Sequence, residues 1–183
     1  LFISFTYFGV FIMAREARLM ATDKDNGNSK DKGKSKDGWY FLHAKISPTI
    51  RNGALTEADS GDKLLGIIEL YAKAFECELA GVFISKYHYA LVVKFRKYKA
   101  LHQDVLLQKA IALYEGKQNR LDLWDKNNFR KFNARIFDVS EFMRSIQSTF
   151  ARWSNQRINH EGSSLWAERF KSTILTNDSS ALD

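Results

Sequence analysis

The sequence predicts an α+β sandwich, an antiparallel sheet of four to five strands with helices packed on it. Two observations carry this. Runs of aromatic and branched residues of strand length are separated by segments whose apolar residues recur at helical spacing. Their order (strand, helix, strand, strand, helix, helix, strand) is that of a ferredoxin-like sandwich. Composition agrees, since 45% hydrophobic residues, with four Trp and fourteen Phe, are enough to bury a core.

Trp39-Tyr-Phe-Leu-His-Ala-Lys-Ile46 reads as the first strand and stops at Ser47-Pro48. Leu64, Ile67, Ile68, Tyr71 and Phe75 form the stripe of an amphipathic helix over about 60–77. Residues 79–84 and 87–95 read as two strands joined tightly at Ser85-Lys86, and 100–114 as a helix with Leu101, Val105, Leu106 and Ile111 apolar. The stretch 115–135 is polar and basic, with Trp124, Phe129 and Phe132 as isolated anchors, and supports no assignment. Asp138, with Glu141 three residues on, forms a capping-box-like start to the next helix. Val139, Phe142, Ile146, Phe150 and Trp153 are its buried stripe; Arg144, Ser148, Arg152 and Gln156 form a separate, exposed ridge. A short strand over 171–176 closes the pattern.

The 183 residues suit one domain, placed over 38–176, with 177–183 as a tail. A lone Cys77 excludes a disulfide framework and a thiolate zinc site, and His43, His88, His102 and His160 are too scattered to suggest a multi-histidine cluster. The formal charge of +7 points weakly toward a polyanionic partner. Residues 1–12 are apolar, but a bilayer span needs about 20 residues. The run also lacks the flanks of a secretory signal, so Met13 is expected to be the biological start and no membrane association is expected. Residues 13–37 read as a tether, because Asp, Lys, Asn, Gly and Ser after Met20 cannot bury enough surface to offset ordering.

Four segments, in order, resemble the REP-associated tyrosine transposases, a branch of the single-tyrosine insertion-sequence transposases. Met13-Ala-Arg15 and Gly38-Trp39-Tyr40 match the family's start and first strand. Ile84-Ser-Lys-Tyr-His-Tyr-Ala-Leu-Val-Val93 sits where the family carries its histidine–hydrophobic–histidine motif. Phe142 to Asn155 matches its catalytic helix, and Leu165-Trp-Ala-Glu-Arg-Phe-Lys-Ser172, the most specific segment, its C-terminal signature. The resemblance implies DNA as partner, single-stranded or hairpin, a cytoplasmic, nucleoid-associated location, and a homodimer or a monomer. It also implies nicking by a tyrosine hydroxyl at a phosphate polarised by Mg²⁺ or Mn²⁺ held between the two histidines.

This chain departs from that pattern at the residues that make and break bonds. The histidine positions are Tyr87 and Tyr89, with His88 between them and on the other face of a strand. Phenols with a pKa of about 10 are poor ligands for hard divalent ions at neutral pH, so no metal site and no cofactor is expected. His88 reads as a strand residue packed under a helix. Phe150 occupies the nucleophile position, and Ser154, one turn on, has no base beside it. The expectation is a transposase-like fold without nicking activity. Tyr87 and Tyr89 are expected on one sheet face, toward the helix running from Asp138 to about Asn159.

What remains is a basic, aromatic surface. Lys86, Lys94 and Arg96, with Lys97 and Lys99, lie on or just after the strand hairpin. Arg144, Arg152 and Arg157 follow the helix, and Arg169 and Lys171 the C-terminal signature. Trp166, Tyr87 and Tyr89 are expected to offer stacking faces in a cleft between hairpin and helix, the means by which single strands are held without much reading of sequence. Phe170 is expected in the core. Two alternatives stand: an active nickase using Ser154 or Tyr114 as substitute nucleophile, and a decayed remnant that folds but binds no nucleic acid.

Overall fold

The computed structural model describes residues 37–47, 55, 58–114, 121–158 and 164–175. The expectations for 1–12, for the tether and for the tail beyond 176 lie outside the described residues. Four strands, β1 (Gly38–Lys45), β2 (Cys77–Ile84), β3 (His88–Phe95) and β4 (Lys171–Leu175), form one sheet in the order β2-β3-β1-β4. Every neighbouring pair is antiparallel, which is the ferredoxin-like arrangement, with four strands among the described residues. Four helices accompany it: α1 (Ala58–Ala74), α2 (Gln103–Leu113), α3 (Lys126–Ile136) and α4 (Val139–Ile158). No helix of the described residues is long and apolar enough to cross a membrane.

Alternation along the strands separates two faces. Tyr40, Leu42, Ala44 and Ile46 of β1 join Tyr89, Leu91, Val93 and Phe95 of β3 in one core with the buried stripes of the helices. From α1 come Leu64, Ile67, Ile68 and Phe75; from α4, Phe142, Met143, Ile146 and Phe150. On β2 the register shifts between Leu79 and Gly81, so Ala80 is an extra residue. The bulge lets Leu79 before it and Val82 after it both pack against this core.

The structure corrects three local expectations. Helix α1 ends at Ala74 rather than 77. There Glu76 leaves the helix, its N–H donating to the Ile136 carbonyl at 2.8 Å and its carbonyl accepting from Arg96 at 3.1 Å, which starts β2 at Cys77. The 115–135 stretch holds an unanticipated helix, α3. Asp125 caps it, accepting from the Asn128 N–H at 2.7 Å, and Phe132 and Ile136 enter the core at i, i+4 spacing. The Asp138 cap forms, with Oδ1 accepting from Ser140 at 2.7 Å and Glu141 at 3.1 Å. The capping box does not close, because the Asp138 N–H donates to Arg135 and Glu141 turns to Arg144, 2.7 Å away.

Candidate nucleic-acid interface

The turn between β2 and β3 lies one residue further along than the sequence suggested, and this separates the two tyrosines. The Ser85 N–H donates to the His88 carbonyl at 2.8 Å, so Lys86 and Tyr87 are the turn itself. Tyr87 therefore precedes the strand, 45% exposed, with the Lys86 ammonium 5.0 Å from its ring centre. Tyr89 is 0% exposed and faces α4, its hydroxyl 4.0 Å from the Met143 sulfur. The expectation that both side chains present themselves to α4 is met by Tyr89 and corrected for Tyr87. Nor can Tyr89 offer a stacking face, because core residues already cover both sides of its ring.

Trp166 fills the space between Tyr89 and Phe150. Its ring lies 5.6 Å from Tyr89, edge-on, and 6.0 Å from Phe150, and its indole N–H donates to the Gln147 carbonyl at 3.0 Å. A backbone bridge to Ile46 fixes the segment, and the Ala167 N–H donates to the Lys45 carbonyl at 3.0 Å. Phe150 is 0% exposed and Ser154 2%. Ser154 is thus closed off from any DNA strand outside the fold, which corrects its candidacy as a substitute nucleophile. Tyr114, the other candidate, ends α2 and accepts from Arg135 at 3.0 Å; the same guanidinium donates to Ser145 of α4 at 2.8 Å.

Tyr89 and His88, at and beside the positions that the resemblance gives to the two histidines, do not fit a divalent ion. Burial pushes the Tyr89 phenol well above its ordinary pKa, so it is a neutral hydroxyl rather than an anionic ligand. His88 is on the opposite side of the sheet, where its Nδ1 lies 3.2 Å from Ser85 Oγ and its ring 5.2 Å from His43 and 5.6 Å from Phe83. No described helix lies over it, which corrects the expectation that it packs beneath one.

The basic residues divide between surfaces. Arg144 and Arg169 meet in an open groove of about 270 Å³ lined also by Ser140, Gln147, Ser148, Trp166 and Phe170. Phe170 is half-buried there rather than wholly core. Arg152 lies one turn beyond Ser148 on α4, its Nε donating to the Ser148 carbonyl at 3.3 Å. Arg157 is further off, 4.9 Å over Trp153 and 3.4 Å from Asp59 of α1. Arg96 pairs with Glu76 at 3.6 Å, and the ammonium of Lys94 lies 5.8 Å from the Trp39 ring on the sheet face away from α4. Lys171 pairs with Glu168 at 3.3 Å and sits beside His43 in the sheet. A single cleft between hairpin and helix does not collect them, because the space there is core.

Comparison with protein-family models gave no match, and comparison with curated protein sequences gave none. Among solved structures the chain is similar to a protein from Deinococcus radiodurans R1 provisionally described as a transposase, at 14% identity and a TM-score of 0.45. That likeness covers 84% of this chain and 91% of the other. It is also similar to a REP-associated tyrosine transposase whose structure holds a REP hairpin, at 12% identity and a TM-score of 0.48, over 85% of this chain and 66% of the other.

Proposed function

We propose that the chain is a transposase-related DNA-binding protein that holds hairpin or single-stranded DNA without nicking it. The family assignment rests on the sequence segments 84–93, 142–155 and 165–172. The observation that carries the binding role is the groove, whose lining brings Arg144, which also holds Glu141, and Arg169 together with Trp166 and Phe170. Guanidinium groups take phosphate oxygens in bidentate fashion, and ring faces take unpaired bases. Loss of nicking is supported by the donor set: a buried neutral phenol, a histidine on the wrong face, and a phenylalanine at the nucleophile position. With DNA as its partner, the protein belongs to the nucleoid, and its metal clasp is lost rather than rebuilt.

Fluorescence anisotropy with a labelled hairpin oligonucleotide, titrated with salt, tests this. Arg169→Ala should weaken binding and lower the salt slope by about 0.7–0.9, one phosphate contact. A folded Arg169→Ala protein that binds the hairpin as the parent does would remove the argument for the groove. Incubation of the same hairpin with Mn²⁺ should leave it uncut, and a cut strand carrying covalently bound protein would establish the nickase instead.

A further inference from the structure

The sheet face away from α4 has the composition of a binding surface. Register places its residues in three rows. Phe83, Ala90, His43 and Lys171 form one; Gly81, Val92, Phe41 and Thr173 the next; Glu78, Lys94, Trp39 and Leu175 the third. Lys45 and His88 are paired at the hairpin end. Phe83 is 56% exposed and Phe41 40%, and among these residues only the small Ala90 is buried. A contiguous patch of exposed aromatic rings on a sheet otherwise backed by a full core is unusual for a surface without a partner.

We infer that this open face is a stacking platform for unpaired single-stranded DNA, separate from the groove on α4. Phe41 and Phe83 present rings to water, and His43 and His88 stand between them, their rings 5.2 Å apart. Gly81 has no side chain and stands between larger neighbours, which leaves the sheet open there, whereas Ala90 is buried among the rings around it. Lys45, Lys94 and Lys171 are distributed across β1, β3 and β4, where they reach a backbone crossing the strands. The acids nearby are Glu78, opposite Lys94, and Glu168, paired with Lys171, so three ammonium groups stand against two carboxylates. Ring planes between ammonium groups match a strand whose bases and phosphates are both accessible. A second copy packed face to face would oppose the lysines of one chain to those of the other, which disfavours self-association here. His43, His88, Glu78 and Thr173 supply groups able to bond a ribose 2′-hydroxyl, so the choice of DNA over RNA rests on the proposed function.

The test uses the full chain and a labelled oligo(dT) of about 20 nucleotides, which cannot form a hairpin. Phe83→Ala and Phe41→Ala should each weaken its binding by about 5-fold or more with the salt slope unchanged. Neither should alter binding of a blunt hairpin, which reports on the groove. The wild-type chain failing to bind oligo(dT), or both variants binding it as the parent does while their melting curves are unchanged, would overturn the platform. So would a preference of about 10-fold or more for oligo(rU), or a dimer of the parent that dissociates on Phe83→Ala. Because the hairpin is measured in parallel, failure of the platform and failure of the groove give different results.

Discussion

Strand β3 shows two faces of one sheet under opposite demands. Its residues Tyr89, Leu91, Val93 and Phe95 have no exposed surface, while Val92, Lys94 and His88, one position away, stay half-open to water. The motif that in the resembling family spans one face is split here. Tyr89 has become a core residue, and His88 belongs to a polar–aromatic surface. Between β3 and α4 no hole is left: Tyr89, Trp166 and Phe150 close the space with rings. The two faces then differ in what a substitution costs and in what it reports.

The largest expected contrast is between phenylalanines. Phe150→Ala opens a cavity beside Trp166 and should cost about 3–5 kcal/mol in urea unfolding, whereas Phe83→Ala should stay within about 0.5 kcal/mol. Equal losses would mean that the open face is covered. Introducing a phenol with Phe150→Tyr places a hydroxyl in a fully closed site, and a cost of about 1–3 kcal/mol without any gain of Mn²⁺-dependent nicking is expected. Recovery of nicking would show that the ring plug opens. Tyr89→Phe removes a hydroxyl whose recorded neighbour is the Met143 sulfur, so its stability should lie within about 1 kcal/mol of the parent.

The smallest effect lies on the open face and depends on pH. Burial first, then the charges of His88, Lys45 and Lys171, hold His43 below its ordinary pKa, and Glu168 opposes them. A histidine whose folded pKa is lowered binds fewer protons folded than unfolded, so stability should fall as pH drops through about 6.5. His43→Asn should flatten that part of the urea midpoint against pH. A midpoint that rises on acidification, and keeps rising in the variant, would place the titrating group elsewhere.

Much of the fold was legible because alternation and helical spacing are local properties. The stripes of α1 and α4 and the alternation of β1 and β3 stand in the sequence as they stand in the core. Helix α3 was equally written there, in the Asp125 cap and the Phe129, Phe132, Ile136 spacing, but its many basic and amide residues masked the period. The hairpin was misread by a single residue, and that slip decides the site. With Lys86 and Tyr87 as the turn, Tyr87 leaves the strand that the alternation assigned to it. What spacing could not show was the third dimension of the basic residues. Arg144 and Arg169, distant in sequence, share a groove, while Lys94 and Lys171 belong to the other face. No local pattern distinguishes a lysine on one face of a sheet from one on the other until the register is known.

The strand order has a consequence for how the chain is made. Strand β1 lies inside the sheet, yet one of its two neighbours is β4, with Trp39 opposite Leu175. Its other neighbour, β3, is complete at Phe95, so the emerging chain can pair β1 on one side early. The second side waits for the last strand, a delay of about 4–16 s between Phe95 and Leu175 at ordinary rates of synthesis. During that interval β1 is an unprotected edge bearing Trp39, Phe41 and His43, the kind of template on which partly made chains join one another. Premature termination before Lys171 would make that edge permanent.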